Sequence, residues 1–141
     1  ESTGYEPYAK QIAEIFKSNI NVLEEVINIL FYIAEADGHV SSDEEDMIAN
    51  IAYIFGLSQK QYQSIKESRK SSDKLNPYIV LESQPTDDLQ IIRKKYIKLS
   101  KEHHPDLLMS KGVPVEVINE SKNKMRAINA AWDQVQKLKS N

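Results

Sequence analysis

An amphipathic segment that ends in a proline places the strongest constraint on how this chain folds. Its apolar residues recur every three or four positions, which predicts one buried face of an α-helix. They are Leu89, Ile92, Tyr96 and Leu99. Pro105 has no backbone N–H and disfavours helical geometry in His104. We therefore expect a helix that ends near His104 and packs its apolar face on other helices.

The rest of this predicted helix is strongly basic. Its basic residues are Arg93, Lys94, Lys95, Lys98 and Lys101. Lys94, Lys98 and Lys101 form one stripe, because residues three and four positions apart are neighbours on a helix. His104 and Asp106 are expected to stand on a stiffened corner beside the stripe. Such a surface suits an acidic partner, because its polar groups are held at low entropic cost and its charge steers association.

The segment Ile91–Asp106, IIRKKYIKLSKEHHPD, resembles helix II and the His-Pro-Asp signature of the J domain. DnaJ-type co-chaperones act on DnaK-type chaperones through this module. The resemblance covers about residues 75–138, since Asn76–Leu81 is similar to the family's first helix. Residues similar to the inward positions of its third helix are Met125, Ile128, Ala131, Trp132 and Val135.

The J-domain resemblance implies a function without a catalytic group or cofactor. The protein would stimulate ATP hydrolysis by a DnaK-type chaperone by docking on its ATPase domain. The partner-binding residues implied by the resemblance are His104, Pro105, Asp106, Arg93, Lys94, Tyr96, Lys98 and Lys101.

The first half of the chain is also predicted to be helical, and no strand pattern of useful length occurs. Its helices are expected after Pro7, over Val22–Ala36 with Asn21 as cap, from Ser41 or Ser42 to Gly56, and from Ser58. The second has too many apolar positions for one stripe, so we expect it to be buried on most sides. Capping boxes are predicted where Ser or Thr precedes Glu or Gln by three positions, as at Ser41 and Glu44.

Charge divides the chain into two parts. Residues 1–73 hold 6 Lys or Arg against 13 Asp or Glu, whereas residues 74–141 hold 12 against 8. Such asymmetry indicates two units with different partners. The polar, serine-rich segment 66–74 lacks apolar anchors and is expected to join them.

The segment Ala34–Ser41, AEADGHVS, followed by acidic residues and a helix, resembles the TerB family. A TerB-like unit before a C-terminal J domain is the order found in DjlA-type proteins, which are membrane-anchored bacterial co-chaperones. The resemblance implies an all-α fold: an acidic four-helix TerB-like unit plus a J domain with an antiparallel helix II and helix III pair. We expect a TerB-like domain over residues 1–70, which can be partial, a linker over 71–75 and a J domain over 76–141.

The resemblance gives the first domain a role in targeting or in partner or metal interaction. We expect a cytoplasmic protein, with attachment to the inner membrane through an upstream segment as an open alternative. The sequence contains no apolar run long enough to span a membrane and no cysteine, which excludes disulfides and thiolate metal sites. A partial TerB unit would expose apolar surface, so a homodimer also stays open.

The residues give little support for a metal site or a catalytic site. The segment Asp37–Glu44 is similar to the second half of a calcium-binding EF-hand loop, but Ile33 then holds the first position, where a carboxylate is required. A weak metal site at Asp37, Asp43 and Glu44 stays open. His103 and His104 are adjacent and point apart on a helix, so zinc binding is not expected. No nucleophile motif or phosphate-binding glycine loop occurs.

Two other function classes stay open. The basic helix could track phosphates in a nucleic-acid-binding module, although the chain is acidic overall, with a net charge of −3. Alternatively, the J-like unit could be a degenerate scaffold that binds partners without stimulating ATP hydrolysis.

Overall fold

Helices form all the regular secondary structure of residues 4–36 and 38–140, the part of the chain that this computed structural model describes. They are α1 (Glu6–Ile15), α2 (Ile20–Glu35), α3 (Ser42–Ile54), α4 (Gln59–Ser68), α5 (Pro77–Val80), α6 (Leu89–Glu102), α7 (Pro105–Met109) and α8 (Val115–Lys139). The predicted all-α class is confirmed.

The chain divides into two compact units, Glu1–Tyr62 and Gln63–Asn141. The division falls inside α4, so the second half of this helix belongs to the C-terminal unit. Ser68, which the sequence assigned to a polar connecting segment, is helical and buried, and Leu75 is buried in the core of the C-terminal unit. The composition of the segment does not predict this burial, because the contacts that order the segment come from α8, which is distant in sequence.

In the N-terminal unit, α2 is buried on most of its surface, as predicted. It begins at Ile20, two positions earlier than expected, with Asn19 rather than Asn21 in the N-cap position. Its buried residues are Asn21, Val22, Leu23, Glu24, Glu25, Ile27, Asn28 and Phe31. Both α1 and α2 pack on α3, and Phe31 contacts the ring of Tyr62 at a centroid distance of 6.1 Å.

Capping boxes begin two of the helices in the N-terminal unit, as the sequence predicted. Glu44 N donates to Ser41 Oγ (3.1 Å), and Ser41 N donates to Glu44 Oε1 (2.8 Å). Gln61 N and Ser58 N make the same reciprocal bonds at 3.1 and 2.7 Å. These bonds satisfy backbone donors that the first turn of a helix leaves open.

The C-terminal unit is built on α6 and α8, which run antiparallel. Tyr96, in the middle of α6, stacks on Trp132 of α8 with ring centroids 5.1 Å apart. Lys139, at the end of α8, donates to Pro85 O just before α6 begins (2.8 Å). The apolar cluster between these helices and α5 comprises Leu75, Val80, Leu81, Ile92, Leu99, Ala127, Ile128, Ala131 and Val135.

The segment 108–119 is mostly helical. Leu108 and Met109 complete α7, and α8 already begins at Val115, directly after Pro114. Only residues 110–114 connect the two helices. The sequence pattern does not predict α7, because this helix has only five residues, too few to display a periodicity.

Candidate partner-binding site

The predicted apolar face of α6 is turned into the core. Ile92 and Leu99 are buried, and Leu89 and Tyr96 pack against the same cluster. The opposite side therefore faces outward. Arg93, Lys94, Lys98 and Lys101 are exposed there, and Lys95 is half-buried.

The corner after α6 has the geometry that Pro105 imposes. Helix α6 ends at Glu102, and His104 is extended with φ −67° and ψ 130°. Pro105 then begins α7, because a missing N–H and a fixed φ suit the first position of a helix. Leu108 is completely buried and anchors the short helix to the unit. The predicted end of the helix and the extended conformation of His104 are confirmed.

His104 is the N-cap of α7. Asp106 N donates to His104 Nδ1 at 3.2 Å, which satisfies one of the open donors at the start of α7. A neutral imidazole that accepts at Nδ1 carries its proton at Nε2. The side chain of His104 is 55% exposed and that of Asp106 is 85% exposed. The corner thus presents an N–H donor and a carboxylate to solvent.

His104 and Asp106 are close but do not form a strong pair. Their Nδ1 and Oδ2 atoms are 3.8 Å apart, and both side chains lie in water. Nδ1 accepts the Asp106 N–H, so it carries no proton that it could donate to the carboxylate. Their mutual contact therefore keeps neither Nε2 of His104 nor the Asp106 carboxylate from a partner, while Nδ1 of His104 stays engaged as the cap.

The basic stripe consists of Lys94, Lys98 and Lys101. Residues 94 and 101 lie about 10 Å apart along the helix axis, at 1.5 Å per residue. Lys98 is loosely paired with Glu102, at 3.9 Å between Nζ and Oε2. From residue 89 to residue 110 the sequence holds five basic and two acidic side chains, Glu102 and Asp106, so the local field is positive.

Tyr96 is placed differently from the stripe. Its ring is half-buried and stacks on Trp132 with an angle of 9° between the ring planes. Its hydroxyl donates to Asn129 Oδ1 at 3.2 Å. Tyr96 thus joins α6 to α8, and only its edge is available to a partner.

The sequence reasoning missed a polar cluster in the interior of the same unit. Lys124 in α8 is only 1% exposed, and its Nζ donates to Ser64 Oγ (2.7 Å) and Ser68 Oγ (2.9 Å) of α4. A signal was available in the spacing of α8, where the inward positions run through Lys124 at intervals of three and four. These inward positions are Val117, Ser121, Lys124, Ile128, Ala131 and Val135.

Of the acidic residues proposed for a weak metal site, the structure describes Asp43 and Glu44. Glu44 is engaged in its capping box, and the backbone N–H of Ser41 lowers the pKa of its carboxyl below the usual range, with the Ser41 hydroxyl adding to the effect. Asp43 is exposed, and Asp37 lies outside the described residues. In the ranges 4–36 and 38–140, no three His, Cys, Asp or Glu side chains come together in a way that could hold a metal ion.

The histidine next to His104 lies in a different environment. His103 is buried whereas His104 is exposed, so the two neighbours do point apart. Among the helices described here, none combines the length and the apolar character needed to cross a bilayer.

Comparison with known proteins gives matches to both parts of the chain. Residues 1–67 match the family described as tellurite resistance protein TerB. Co-chaperone protein DjlA of Vibrio parahaemolyticus is 37% identical over 86 residues, which cover 60% of this chain and 30% of that protein. DjlA of Escherichia coli K12 is 24% identical over 153 residues, covering 92% of this chain and 56% of the relative.

A third relative, co-chaperone protein DjlA of Photorhabdus laumondii, is 32% identical over 117 residues. That alignment covers 79% of this chain and 43% of the relative. The chain thus spans between about a third and somewhat more than half of the length of these relatives. No solved structure matches the chain. The chain therefore contains a TerB domain in residues 1–67 and is homologous to the DjlA co-chaperones.

Proposed function

We propose that this protein is a J-domain co-chaperone that stimulates ATP hydrolysis by a DnaK-type chaperone. The observation that carries the proposal is the corner at His104, Pro105 and Asp106, held by a side-chain cap and exposed at the end of a basic helix. The homology to the DjlA co-chaperones supports the same proposal.

The docking surface that we propose combines a positive field with a fixed corner. Arg93, Lys94, Lys98 and Lys101 would speed encounter with an acidic surface on the ATPase domain, because complementary charge raises association rates. The corner of His104, Pro105 and Asp106 would then make the specific contacts, and the edge of Tyr96 would border the surface. The antiparallel pair of α6 and α8 keeps these groups in place.

The protein would act on its partner without supplying a catalytic group. Binding shifts a conformational equilibrium only by the difference in affinity for the two states. Docking would therefore favour the state in which the chaperone hydrolyses its ATP. The protein itself would be neither an enzyme nor a cofactor carrier.

The TerB domain has a separate role in this proposal, in targeting or in binding a further partner or metal ion. Four further points stay predictions. They are the cytoplasmic location of the protein, its attachment to the inner membrane, the formation of a homodimer, and the domain limits at residues 70 and 76.

The test is single-turnover ATP hydrolysis by a DnaK-type chaperone with two variants that separate the roles of His104. In His104→Asn, Oδ1 can take the place of Nδ1 as the cap, but the distal N–H donor is lost. In His104→Gln, the amide reaches farther but the cap is lost. If the imidazole contacts the chaperone, His104→Asn abolishes stimulation while the amides of α7 keep their hydrogen-exchange protection.

Stimulation by His104→Asn at the parental level would contradict this role and leave His104 as a cap alone. No stimulation by the folded parent with a cognate chaperone would favour the degenerate scaffold. Salt-sensitive DNA binding that survives His104→Gln would favour the nucleic-acid-binding module.

A further inference from the structure

A group of polar contacts, here called the α4–α8 clamp, joins the end of α4 and the residues just after it to the first half of α8. Its members are Ser64, Ser68, Arg69 and Ser72 on one side and Glu120, Lys124 and Arg126 on the other. Ser64 and Ser68 are completely or almost completely buried, as is Lys124. Burying an ammonium group is costly unless it is hydrogen-bonded, so these hydroxyls are structural partners of Lys124.

The clamp also reaches α5. Ser64 Oγ accepts a hydrogen bond from Lys124 Nζ and donates one to Val80 O at the end of α5. Ser68 Oγ accepts from Lys124 Nζ and donates to Ser64 O (2.6 Å). Each hydroxyl thus uses its donor and one acceptor site, and the direction of every bond is fixed. Such a network tolerates little displacement of one helix relative to the others.

The outer part of the clamp is ionic and lies partly in solvent. Arg69 Nη1 is 2.9 Å from Glu120 Oε1, with side chains 14% and 8% exposed. Arg126 donates to Ser72 Oγ (2.6 Å) and to Ser68 O (3.0 Å), near the C-terminal end of α4. A cation at this end of a helix is favoured by the helix dipole.

The clamp acts on the part of α8 that carries α7. The apolar cluster holds α8 from Ala127 to Val135, whereas the clamp holds it from Glu120 to Arg126. Helix α7 packs on α8. Because α6 and α8 are antiparallel and α7 directly follows α6, α7 lies against the first half of α8.

We propose that the end of α4 is a positioning element for the docking corner, with Lys124 as its central residue. The clamp fixes the first half of α8, this half supports α7, and α7 carries Pro105 and Asp106. Residues 63–67 belong both to the TerB match and to the C-terminal unit. Through Ser64, the clamp therefore makes the end of the TerB match part of the structure on which docking depends. This inference rests on the proposed function only for its consequence in ATP hydrolysis.

The test is hydrogen exchange of the α7 amides in the whole chain. Ser64→Ala with Ser68→Ala removes two hydrogen bonds of Lys124 and the bonds that the two hydroxyls donate to Val80 O and Ser64 O. We expect the Leu108 and Ser110 amides, which donate within α7, to exchange about tenfold faster, the effect of losing one to two net hydrogen bonds. Adding Lys124→Met should restore much of the protection, because the buried ammonium group is then removed together with its two hydroxyl partners.

The matched control is Ile128→Val, which weakens the apolar cluster and leaves the clamp intact. We expect it to lower global stability with no selective effect on α7. If the control and the serine variant raise α7 exchange equally, or if neither raises it, the positioning role is overturned. If the serine variant does not fold, Arg126→Met removes an outer contact of the clamp and must raise α7 exchange in the same direction.

ATP hydrolysis gives a second readout that a merely stabilising role would not move. If the corner is well formed only in a fraction of the molecules, its apparent Kd equals the intrinsic Kd divided by that fraction. The serine variant should therefore need a higher concentration for half-maximal stimulation and reach the parental rate at saturation. A lower rate at saturation with unchanged half-maximal concentration would contradict positioning. If the parent fails to stimulate, the proposed function fails, whereas the exchange experiment still tests the clamp.

Discussion

The two halves of α8 are held in different ways. The C-terminal half packs its apolar residues against α5 and α6, and the aromatic stack of Tyr96 on Trp132 lies there. The N-terminal half buries Val117, and its other holding contacts are the hydrogen bonds and the ion pair of Lys124, Glu120 and Arg126. Apolar burial is non-directional and supplies stability, whereas hydrogen bonds fix direction and register. Helix α8 thus gains stability mainly from apolar burial in its C-terminal half, whereas hydrogen bonds fix the orientation of its N-terminal half.

The largest effect is expected from an apolar truncation in the C-terminal half. Ile128 is completely buried in the cluster. Ile128→Ala should lower the free energy of unfolding by roughly 2–5 kcal/mol, because it removes apolar contacts and leaves a cavity. Urea unfolding followed by circular dichroism measures this loss. A loss below about 1 kcal/mol would mean that the cluster can collapse around the gap, and the contrast between the halves would be weaker.

A smaller effect is expected from a charge removal in the N-terminal half. Glu120→Gln keeps the shape of the side chain and neutralises its pair with Arg69, so we expect a loss of about 1–3 kcal/mol. Asp133→Asn is the matched control, since its pair with Lys137 at 3.1 Å is well exposed and should contribute at most about 1 kcal/mol. Equal losses in the two urea titrations would show that burial does not set the strength of these pairs.

The smallest effect is expected from the polar contact at the end of the apolar half. Lys139 donates to Pro85 O and lies 5.9 Å from the centre of the Tyr78 ring. Lys139→Met keeps much of the apolar stem of the side chain, so the free energy of unfolding should fall by about 0.5 kcal/mol or less. A loss as large as that of Glu120→Gln would show that polar contacts matter in both halves, and the comparison would fail.

Local chemistry made much of the fold predictable from the sequence. The apolar face of α6, the end of that helix and both capping boxes depend on residues within a few positions of each other. The exposed corner could be predicted for the same reason, because Pro105 restricts its immediate neighbours. The inward positions Ile128, Ala131 and Val135 of α8 also follow their spacing.

The rest depended on contacts between distant segments. Ser64, Ser68 and Lys124 are polar, and their types alone favour solvent, so only the meeting of α4 and α8 accounts for their burial. Asn21 was expected to cap α2, but the helix starts earlier and buries it. Tyr96 was assigned to the edge of the docking surface, and the stack on Trp132 takes up most of its ring.

That stack also gives the molecule an intrinsic optical probe. Trp132 is the one tryptophan in the sequence, so its emission arises from a single place, the contact between α6 and α8. The Tyr96 ring lies directly on the indole and belongs to the helix whose other side carries the basic stripe. A partner that moves α6 by a fraction of the ring separation would change the emission wavelength or intensity. Docking can thus be followed in the unlabelled protein, provided that the partner's own tryptophans are replaced.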